Sequence, residues 1–373
     1  MTGKDIRKAL EGDIRSGKFT KTGKLPSEAQ LCRRFDVARG TVREALAALQ
    51  REGLIEKRNG AGSFLTRLAE RRTGLIGLII PDYVRFSFFA DVKDRIEHLA
   101  RRLKFNVRLV STDKTNTADA LDDILPHVRS LVADKAEGVI FRPFVASKDE
   151  NGNREIASLL QEAGVPLVLL DQDIVQPPER SEFDLVAVNN VNAGRRIAGH
   201  LFAHGYRRVA FLMGRRGFDP NANWNNRLFG LAGELALRNA DEVVRTLRFR
   251  PDNTSALLRA MSSPQRPDAI VCGNDESAVA LLASLKSLGF KVPEDIGIVG
   301  FDDLECARLS SPQITTIRQP VQQIAEMAFK TLLARIRYPQ NSPRETYLLA
   351  PLVIRDSTTA KAPPRQVFKH GQS

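Results

Sequence analysis

From residue 75 onwards, short apolar runs alternate with amphipathic stretches, and this alternation constrains the fold more than any other feature of the chain. A first set of apolar runs lies at 75–80, 105–110, 138–141 and 166–170, and a second at 185–188, 208–213, 243–249, 269–272 and 296–301. Continuous apolar runs of this length are typical of parallel strands that helices cover on both faces. Two sets in tandem predict two doubly wound α/β lobes, with a ligand cleft beyond the carboxyl ends of their strands.

Residues 25–66 follow a different pattern, which predicts a small helical unit with a two-stranded wing. Ser27 is placed to cap a first short helix. The runs 54–58 and 63–65, joined by an Asn59-Gly60 turn, have the pattern of a β-hairpin. Apolar residues at helical spacing can form the core of the unit; they are Leu31, Phe35, Val42, Ala45, Leu46 and Leu49.

The second helix of this unit opens with Arg39, Gly40, Thr41 and Arg43. Cations and a hydroxyl in the first turn are what a recognition helix presents to base edges and phosphates in a major groove. A lone helix with these residues would be interpreted as a solvated charged face. Helix, turn, helix and basic wing in succession favour a winged helix-turn-helix instead.

The charge distribution favours the same interpretation. Residues 1–73 carry 17 Lys and Arg against 9 Asp and Glu, whereas the whole chain has a formal net charge of +12. Residues 361–373 add three basic residues, so the central body is nearly neutral. A basic surface confined to one end is expected of a protein that displaces counterions from nucleic-acid phosphates.

Other function classes find little support in the sequence. The 373 residues suggest two or three domains, and no run of about 18 apolar residues predicts a membrane span. The first residues lack an apolar signal region, and three widely separated cysteines fit a reducing cytoplasm. Five scattered histidines predict no metal site, and we expect no cofactor. No catalytic residues are predicted, because neither a G-x-S-x-G elbow nor a phosphate-binding glycine loop is present.

The N-terminal segment resembles the winged helix-turn-helix of GntR-family transcriptional regulators. The resemblance implies DNA contacts at the start of the recognition helix and in the wing, on Arg39, Thr41, Arg43, Arg58 and Gly60, with Lys57 beside them in the basic wing. Two positions depart from the common pattern, since Ala29 follows the PSE motif and Gly40 follows Arg39, so the operator can differ from those of relatives. The matching motifs are LPSE at 25–28, V-x-R-x-T-V-R-E-A-L at 37–46, L-x-x-E-G-L-I at 49–55 and R-x-G-x-G-S-F at 58–64.

The body, over about 74–358, resembles the LacI/GalR-type effector domain, which shares its fold with periplasmic sugar-binding proteins. A GntR-type head joined to such a body is similar to the arabinose-repressor subgroup of GntR regulators. Among the motifs that carry the resemblance are GVPLVLLD at 164–171, VAVNNVNAG at 186–194, HGYRRVAFLMG at 204–214, RLFG at 227–230, PDAIVCGND at 267–275, GFKVPEDIGIVGFDD at 289–303 and LSSPQITTIRQP at 309–320.

These patterns predict the domain organisation. The DNA-binding head covers 1–67 and a linker covers 68–74. The body covers 75–358, with a first lobe at about 75–184 and 320–340 and a second at about 185–319 and 341–358. The tail, 359–373, has no periodicity and is predicted to be disordered.

Strand-end residues of the body form a set suited to sugars, whose hydroxyls need carboxylates, amides, Arg and an aromatic ring. The predicted effector contacts are Asp82, Phe86, Arg142, Asp171, Trp224, Arg227, Asn274, Asp302 and Gln319. For the positions matching Arg227, Asp302 and Asn274, the resemblance itself implies contact with the effector. Loop capping or packing between the lobes is the alternative for each residue. The fork of Arg227 is predicted to face two neighbouring hydroxyls.

Together these features predict a DNA-binding transcriptional regulator, a repressor by analogy, whose operator affinity is switched by a sugar-like effector. A compact winged helix makes few contacts, so we expect a homodimer on palindromic half-sites. The expected dimer surface involves the helices predicted at 86–103 and 117–133. A transport-system binding protein and a sugar-modifying enzyme are the competing hypotheses; the head disfavours the first, and the lack of a catalytic constellation disfavours the second.

Overall fold

A computed structural model of the protein describes residues 1–15, 18–19, 22–58, 60–66, 73–80, 88–112, 117–144, 150–175, 179–213, 222–238 and 244–359. Within them, a helical head is followed by two α/β lobes. Most of the predicted linker and tail, together with Asp82 and Phe86, lie outside the described residues.

The head consists of three helices and a two-stranded wing. Ser27 caps the second helix through a capping box, in which Gln30 is the reciprocal partner. The wing strands pair antiparallel, from Ile55 opposite Leu65 to Arg58 opposite Gly62. The elements are α1 Gly3–Arg15, α2 Glu28–Phe35, α3 Arg39–Arg51, β1 Ile55–Arg58 and β2 Gly62–Leu65.

Helix α1 is the part of the head that the sequence interpretation missed. Ile6, Leu10 and Ile14 recur every four residues, are buried, and close the head core from one side. They pack with the predicted residues Leu31, Val42, Ala45, Leu46 and Leu49, whereas Phe35 is only partly buried at the edge of the core. The four-residue spacing of α1 is itself the amphipathic signal that could have revealed it.

Lobe 1 is built on a six-stranded parallel sheet in the order β13-β7-β6-β5-β3-β4. Neighbouring residues of each strand face opposite sides, so α4 and α12 cover one face while α5 and α6 cover the other. The strands are β3 Leu75–Ile79, β4 Asn106–Val110, β5 Gly138–Phe141, β6 Leu167–Leu170, β7 Asp184–Val188 and β13 Glu345–Leu348. The helices are α4 Phe88–Arg102, α5 Thr117–Ala133, α6 Glu150–Glu162 and α12 Val321–Arg337.

Lobe 2 contains a four-stranded parallel sheet in the order β11-β10-β8-β9. Helices α7 and α8 cross so closely that a Cβ at Gly194 would overlap the carbonyl of Arg227, and one at Gly230 the carbonyl of Val191. The strands are β8 Val209–Leu212, β9 Arg245–Leu247, β10 Ala269–Cys272 and β11 Gly297–Val299. The helices are α7 Asn190–Ala203, α8 Ala222–Leu237, α9 Thr254–Met261, α10 Asp275–Ser287 and α11 Glu305–Leu309.

The predicted boundary between the lobes is wrong at two strands. Residues 185–188 and 341–358 were assigned to the second lobe, but β7 and β13 pair with each other in the lobe 1 sheet. An apolar sequence indicates that a strand is buried, but it does not indicate in which of two adjacent parallel sheets the strand lies. The chain therefore crosses between the lobes after β7. It returns to lobe 1 after β12 Thr316–Ile317, which pairs antiparallel with β14 Leu352–Val353. The last element that the structure describes is the 3-10 helix Asp356–Thr358.

Candidate effector cleft and DNA-binding face

The start of α3 carries a cluster of exposed cations around one carboxylate. Arg39 and Arg43 each donate through Nε to Glu28 Oε2, at 2.8 and 3.0 Å, and Lys57 Nζ lies 3.5 Å from Glu28 Oε1. The Arg39 and Arg43 guanidinium groups hold the pKa of Glu28 down at about 2. The side chains of Arg39 and Arg43 are 68% and 58% exposed, so their charge faces solvent. Glu28 thus brings together three of the predicted DNA contacts, although no function was predicted for its side chain from the sequence.

Helix α3 begins without a side-chain cap, because its N-cap is Ala38. No side chain at the N-cap therefore accepts from the N–H groups of the first turn, and Thr41, whose N–H donates to the Ala38 carbonyl at 3.1 Å, lies in that turn. In the wing, Arg58 stacks on Phe64, with its Cζ 4.4 Å from the ring centroid, and Gly60 has a φ of +71° at the tip. The six predicted DNA contacts thus lie on the recognition helix and wing of one compact head.

A cavity of about 200 Å³ lies between the two lobes, where the carboxyl ends of β5 and β6 face those of β10 and β11. Of the nine predicted effector contacts, the seven within the described residues line this cavity. The lining residues are Phe88, Phe89, Arg142, Asp171, Asn223, Trp224, Arg227, Gly273, Asn274, Glu276, Asp302, Leu304 and Gln319. Its size suits a monosaccharide better than a drug-sized ligand.

Arg227 is buried and held by lobe 2. Its Nε donates to Asn190 Oδ1 at 2.8 Å and its Nη1 to the Gly273 carbonyl at 2.5 Å, while the guanidinium lies 3.4 Å from the Phe301 ring centroid. Burial lowers the pKa of Arg227, and the nearby carboxylate of Asp302 opposes that shift. Two guanidinium nitrogens of Arg227, Nε and Nη1, thus already donate to protein groups. The predicted hydrogen bonds to two sugar hydroxyls are therefore confined to the N–H groups that face the cavity.

Asp302 is the carboxylate that lobe 2 places near Arg227, beyond the end of β11. Burial raises its pKa to about 7, while Arg227 and the hydrogen bond from Gln319 Nε2, at 2.6 Å, favour its ionised form. Its φ of +112° is unusual for a residue other than glycine and is the kind of backbone strain that clusters at functional sites. The neighbouring Asp303 is tied instead to Arg318 and Arg355, each at 2.5 Å. The two adjacent carboxyls therefore have separate partners, as expected for residues that do not form an acid–base pair.

The remaining predicted residues complete the walls. Arg142 Nε lies 3.7 Å from Asp171 Oδ2 and its guanidinium stacks on Phe89 at 4.7 Å. The indole of Trp224 lies against Gly273, where any Cβ would overlap it. Asn274 caps α10 by accepting from the Ser277 N–H at 3.0 Å, so its Oδ1 is engaged while the residue also lines the cavity.

Sequence reasoning missed the support behind Arg227. Asn190 is buried, orients Arg227 and donates to Asn223 Oδ1 at 2.9 Å. It lies in the VAVNNVNAG motif, but its side-chain partners come from a helix more than thirty residues away in sequence. Asp275 is fully buried and accepts from the Leu304 N–H and the Thr316 hydroxyl. Asp275 thus joins the Leu304 loop to β12, while the N-cap of α10 is its neighbour Asn274.

Two family models match the chain, one over the head and one over the part of the body that supplies the lobe 2 side of the cleft. Residues 2–65 match the model described as bacterial regulatory proteins, gntR family, and residues 198–358 match the model described as periplasmic binding protein-like domain. The chain is thus a two-part protein: a GntR-type helix-turn-helix domain followed by a periplasmic-binding-protein-like domain.

Whole-length comparisons place it more narrowly. It is 28% identical over 364 residues to the arabinose metabolism transcriptional repressor of Geobacillus stearothermophilus, covering 92% of this chain and 94% of the relative. A LacI family transcriptional regulator from Enterococcus faecalis V583, solved with bound ribose, is 26% identical with a TM-score of 0.63, over 77% of this chain and all of that one. The transcriptional regulator CelR, in a cellobiose complex, shares the fold at 20% identity with a TM-score of 0.64, over 89% of this chain and all of that one.

Over most of its length the chain is thus similar to transcriptional repressors and regulators, none of which is named as an enzyme, and it is a DNA-binding transcriptional regulator with an effector-binding domain. In the part of the chain that is described, no helix is long and apolar enough to cross a membrane. The same residues contain no cluster of three potential ligands placed to hold a metal ion.

Proposed function

We propose that this regulator is a repressor whose affinity for operator DNA changes when a sugar binds in the cleft between its lobes. The observation that carries the proposal is the cavity itself, in which Arg227 and Asp302 face one small space from lobe 2 while Arg142 and Asp171 face it from lobe 1. A ligand that contacts both pairs would favour a closed arrangement of the lobes.

The chemistry of the walls supports a sugar as the effector. Asp171 and Asp302 can accept from hydroxyls, Arg142 and Gln319 can donate to them, and Trp224 offers an apolar ring to the C–H face of a sugar. The names of the relatives agree, since one is a repressor of arabinose metabolism and two solved regulators carry ribose and cellobiose.

The proposed DNA site is a pair of half-sites bound by a homodimer in the cytoplasm. One head offers a single recognition helix and a wing, so specific affinity requires two heads on one assembly. We propose that α4 and α5 contribute to the dimer surface, since they flank the first strands of lobe 1.

A thermal-shift screen with ribose, arabinose, cellobiose and phosphorylated pentoses tests the effector proposal. A sugar present at 100 times its dissociation constant stabilises the folded state by about 2.7 kcal/mol. Stabilisation that disappears in an Asp302→Ala variant supports binding in the cleft. If every sugar left the melting temperature unchanged, or stabilised wild type and variant equally, the cleft would not be the sugar site.

A further inference from the structure

Two helices of lobe 1 begin at the effector cleft. Phe88, the first residue of α4, and Phe89 after it line the cavity. Gln319 lines the same cavity, hydrogen bonds to Asp302 at 2.6 Å, and lies two residues before the first residue of α12. Both helices are therefore in contact, at their N-terminal ends, with groups that a bound effector would touch.

The far ends of the same two helices contact the head. Lys104, two residues beyond the end of α4, pairs through Nζ with Glu11 Oε1 of α1 at 2.8 Å. Arg337, the last residue of α12, donates from Nη2 to the carbonyl of Ile55 in wing strand β1 at 3.3 Å. The Glu11 side chain is only 7% exposed and also binds Arg7, so this pair is partly buried and is not an ordinary surface ion pair.

The two helices are also joined to each other along their length. Arg95 of α4 donates to Glu326 of α12 at 2.7 Å, and Phe105 meets Phe329 edge to face at 6.1 Å. Their inner faces share one buried cluster with the lobe 1 sheet. With 15 and 17 residues, they span about 22–26 Å at 1.5 Å per residue. A shift at one end of such a packed pair moves the other end with it.

The head contacts leave the recognition face open. Arg39 and Arg43 remain mostly exposed, because the docked surface consists of α1 and the base of the wing at Ile55. Arg39 and Arg43 can therefore contact DNA while the head is docked. Docking fixes the orientation of the head relative to lobe 1.

We propose that α4 and α12 form a strut that docks each head on lobe 1 and so sets the spacing of the two heads for a two-half-site operator. The inference rests on the proposed function, since it takes the protein to be a dimer on paired half-sites. The second binding event is intramolecular in either case, but a docked head is held at a high effective concentration near the second half-site, whereas an undocked head samples a larger volume and has a lower one. Contact with a single half-site does not depend on docking.

The test compares two duplexes selected by the wild-type protein, one with both half-sites and one with a single half-site. In the double variant Lys104→Gln/Arg337→Gln, affinity for the two-half-site duplex falls at least about fivefold, the lower end of ordinary coupling between sites. Affinity for the single half-site stays within about twofold, which is below the size of usual coupling. Arg259→Gln/Lys291→Gln is the matched control, because it removes the same two kinds of cation at exposed positions of lobe 2.

An equal loss on both duplexes, or no loss on either, overturns the strut.

A second measurement needs no DNA. A zero-length carbodiimide reagent joins a carboxylate to an amine only when they are in contact, so the full chain should yield a Glu11–Lys104 cross-linked peptide that Lys104→Gln abolishes. Absence of that peptide from the wild-type protein contradicts docking. If instead the cross-link forms and no duplex that binds the wild type can be selected, the DNA proposal fails while docking stands.

Discussion

The recognition face and the effector cleft both depend on arginines near carboxylates, but they use them in opposite ways. On the head, Arg39 and Arg43 are exposed to solvent and share the carboxylate of Glu28. In the cleft, Arg227 is buried and fixed by Asn190, the Gly273 carbonyl and the Phe301 ring. Exposed cations supply affinity that salt screens, whereas a buried and pre-oriented group supplies selectivity for a small polar ligand.

We expect the largest loss of ligand affinity when the buried Arg227 of the cleft is replaced. Arg227→Met keeps the length of the side chain but leaves Asn190 Oδ1 and the Gly273 carbonyl without their donor. Sugar affinity should fall by about 2–5 kcal/mol, the usual result of truncating a buried charged hydrogen-bond partner. Calorimetry measures the loss, and operator binding by the same sample shows that the protein is folded. Retention of wild-type sugar affinity would remove Arg227 from the site.

The exposed counterpart should give a smaller effect confined to DNA. Arg39→Ala should weaken operator binding by about 1–3 kcal/mol, measured by fluorescence anisotropy, with sugar affinity unchanged. Arg51→Ala is the control, because Arg51 is an exposed arginine at the other end of the same helix. If Arg39→Ala altered sugar binding, or if Arg39→Ala and Arg51→Ala weakened operator binding equally, DNA binding could not be assigned to the start of α3 alone.

The pH dependence of the cleft sharpens the comparison further. The pKa of Asp302 is raised to about 7 in the folded, unliganded protein from an unfolded value of 3.8. Sugar hydroxyls donate to the ionised carboxylate, so sugar affinity should rise between about pH 6 and 8, by at most tenfold (about 1.4 kcal/mol) per pH unit. An Asp302→Asn variant should show a flat profile. A wild-type profile equally flat would mean that Asp302 does not titrate on binding.

The stability of the unliganded protein should change with pH in the opposite direction. Because the folded pKa of Asp302 lies above the unfolded one, the folded state holds a proton that the unfolded state has lost between about pH 4 and 7. The contribution of Asp302 to stability is therefore present below pH 4 and is lost as the pH rises through 7. Comparing the melting temperatures of wild type and Asp302→Asn over this range isolates that contribution.

The smallest expected effect belongs to the wing. Arg58→Ala should reduce the slope of log operator affinity against log salt concentration by about one contact. Arg58 stacks on Phe64 and pairs with Glu56, so part of its charge is already neutralised without DNA. Anisotropy titrations at several salt concentrations measure the slope, and an unchanged slope would place the wing away from the phosphates.

The sequence predicted the head and the parallel sheets well because their signals are local. Helix caps such as Ser27, apolar spacing and strand ends are set within a few residues of each other. It also predicted seven of the cleft residues, because strand ends of doubly wound sheets meet at one edge. The role of Glu28, the support of Arg227 by Asn190 and the lobe that contains β7 could not be predicted in this way. Each depends on partners distant in sequence, which a local pattern does not specify.

The proposed regulation requires the cleft and the head to act on one equilibrium. Thermodynamic linkage requires the factor by which sugar changes operator affinity to equal the factor by which operator changes sugar affinity. Calorimetric titration of the full chain with the sugar that stabilises it most, once alone and once saturated with the two-half-site duplex, measures this directly. Coupling between the two sites predicts two different sugar affinities, with a ratio that matches the sugar-induced change in operator affinity. Identical sugar affinities, with both ligands bound, would contradict it.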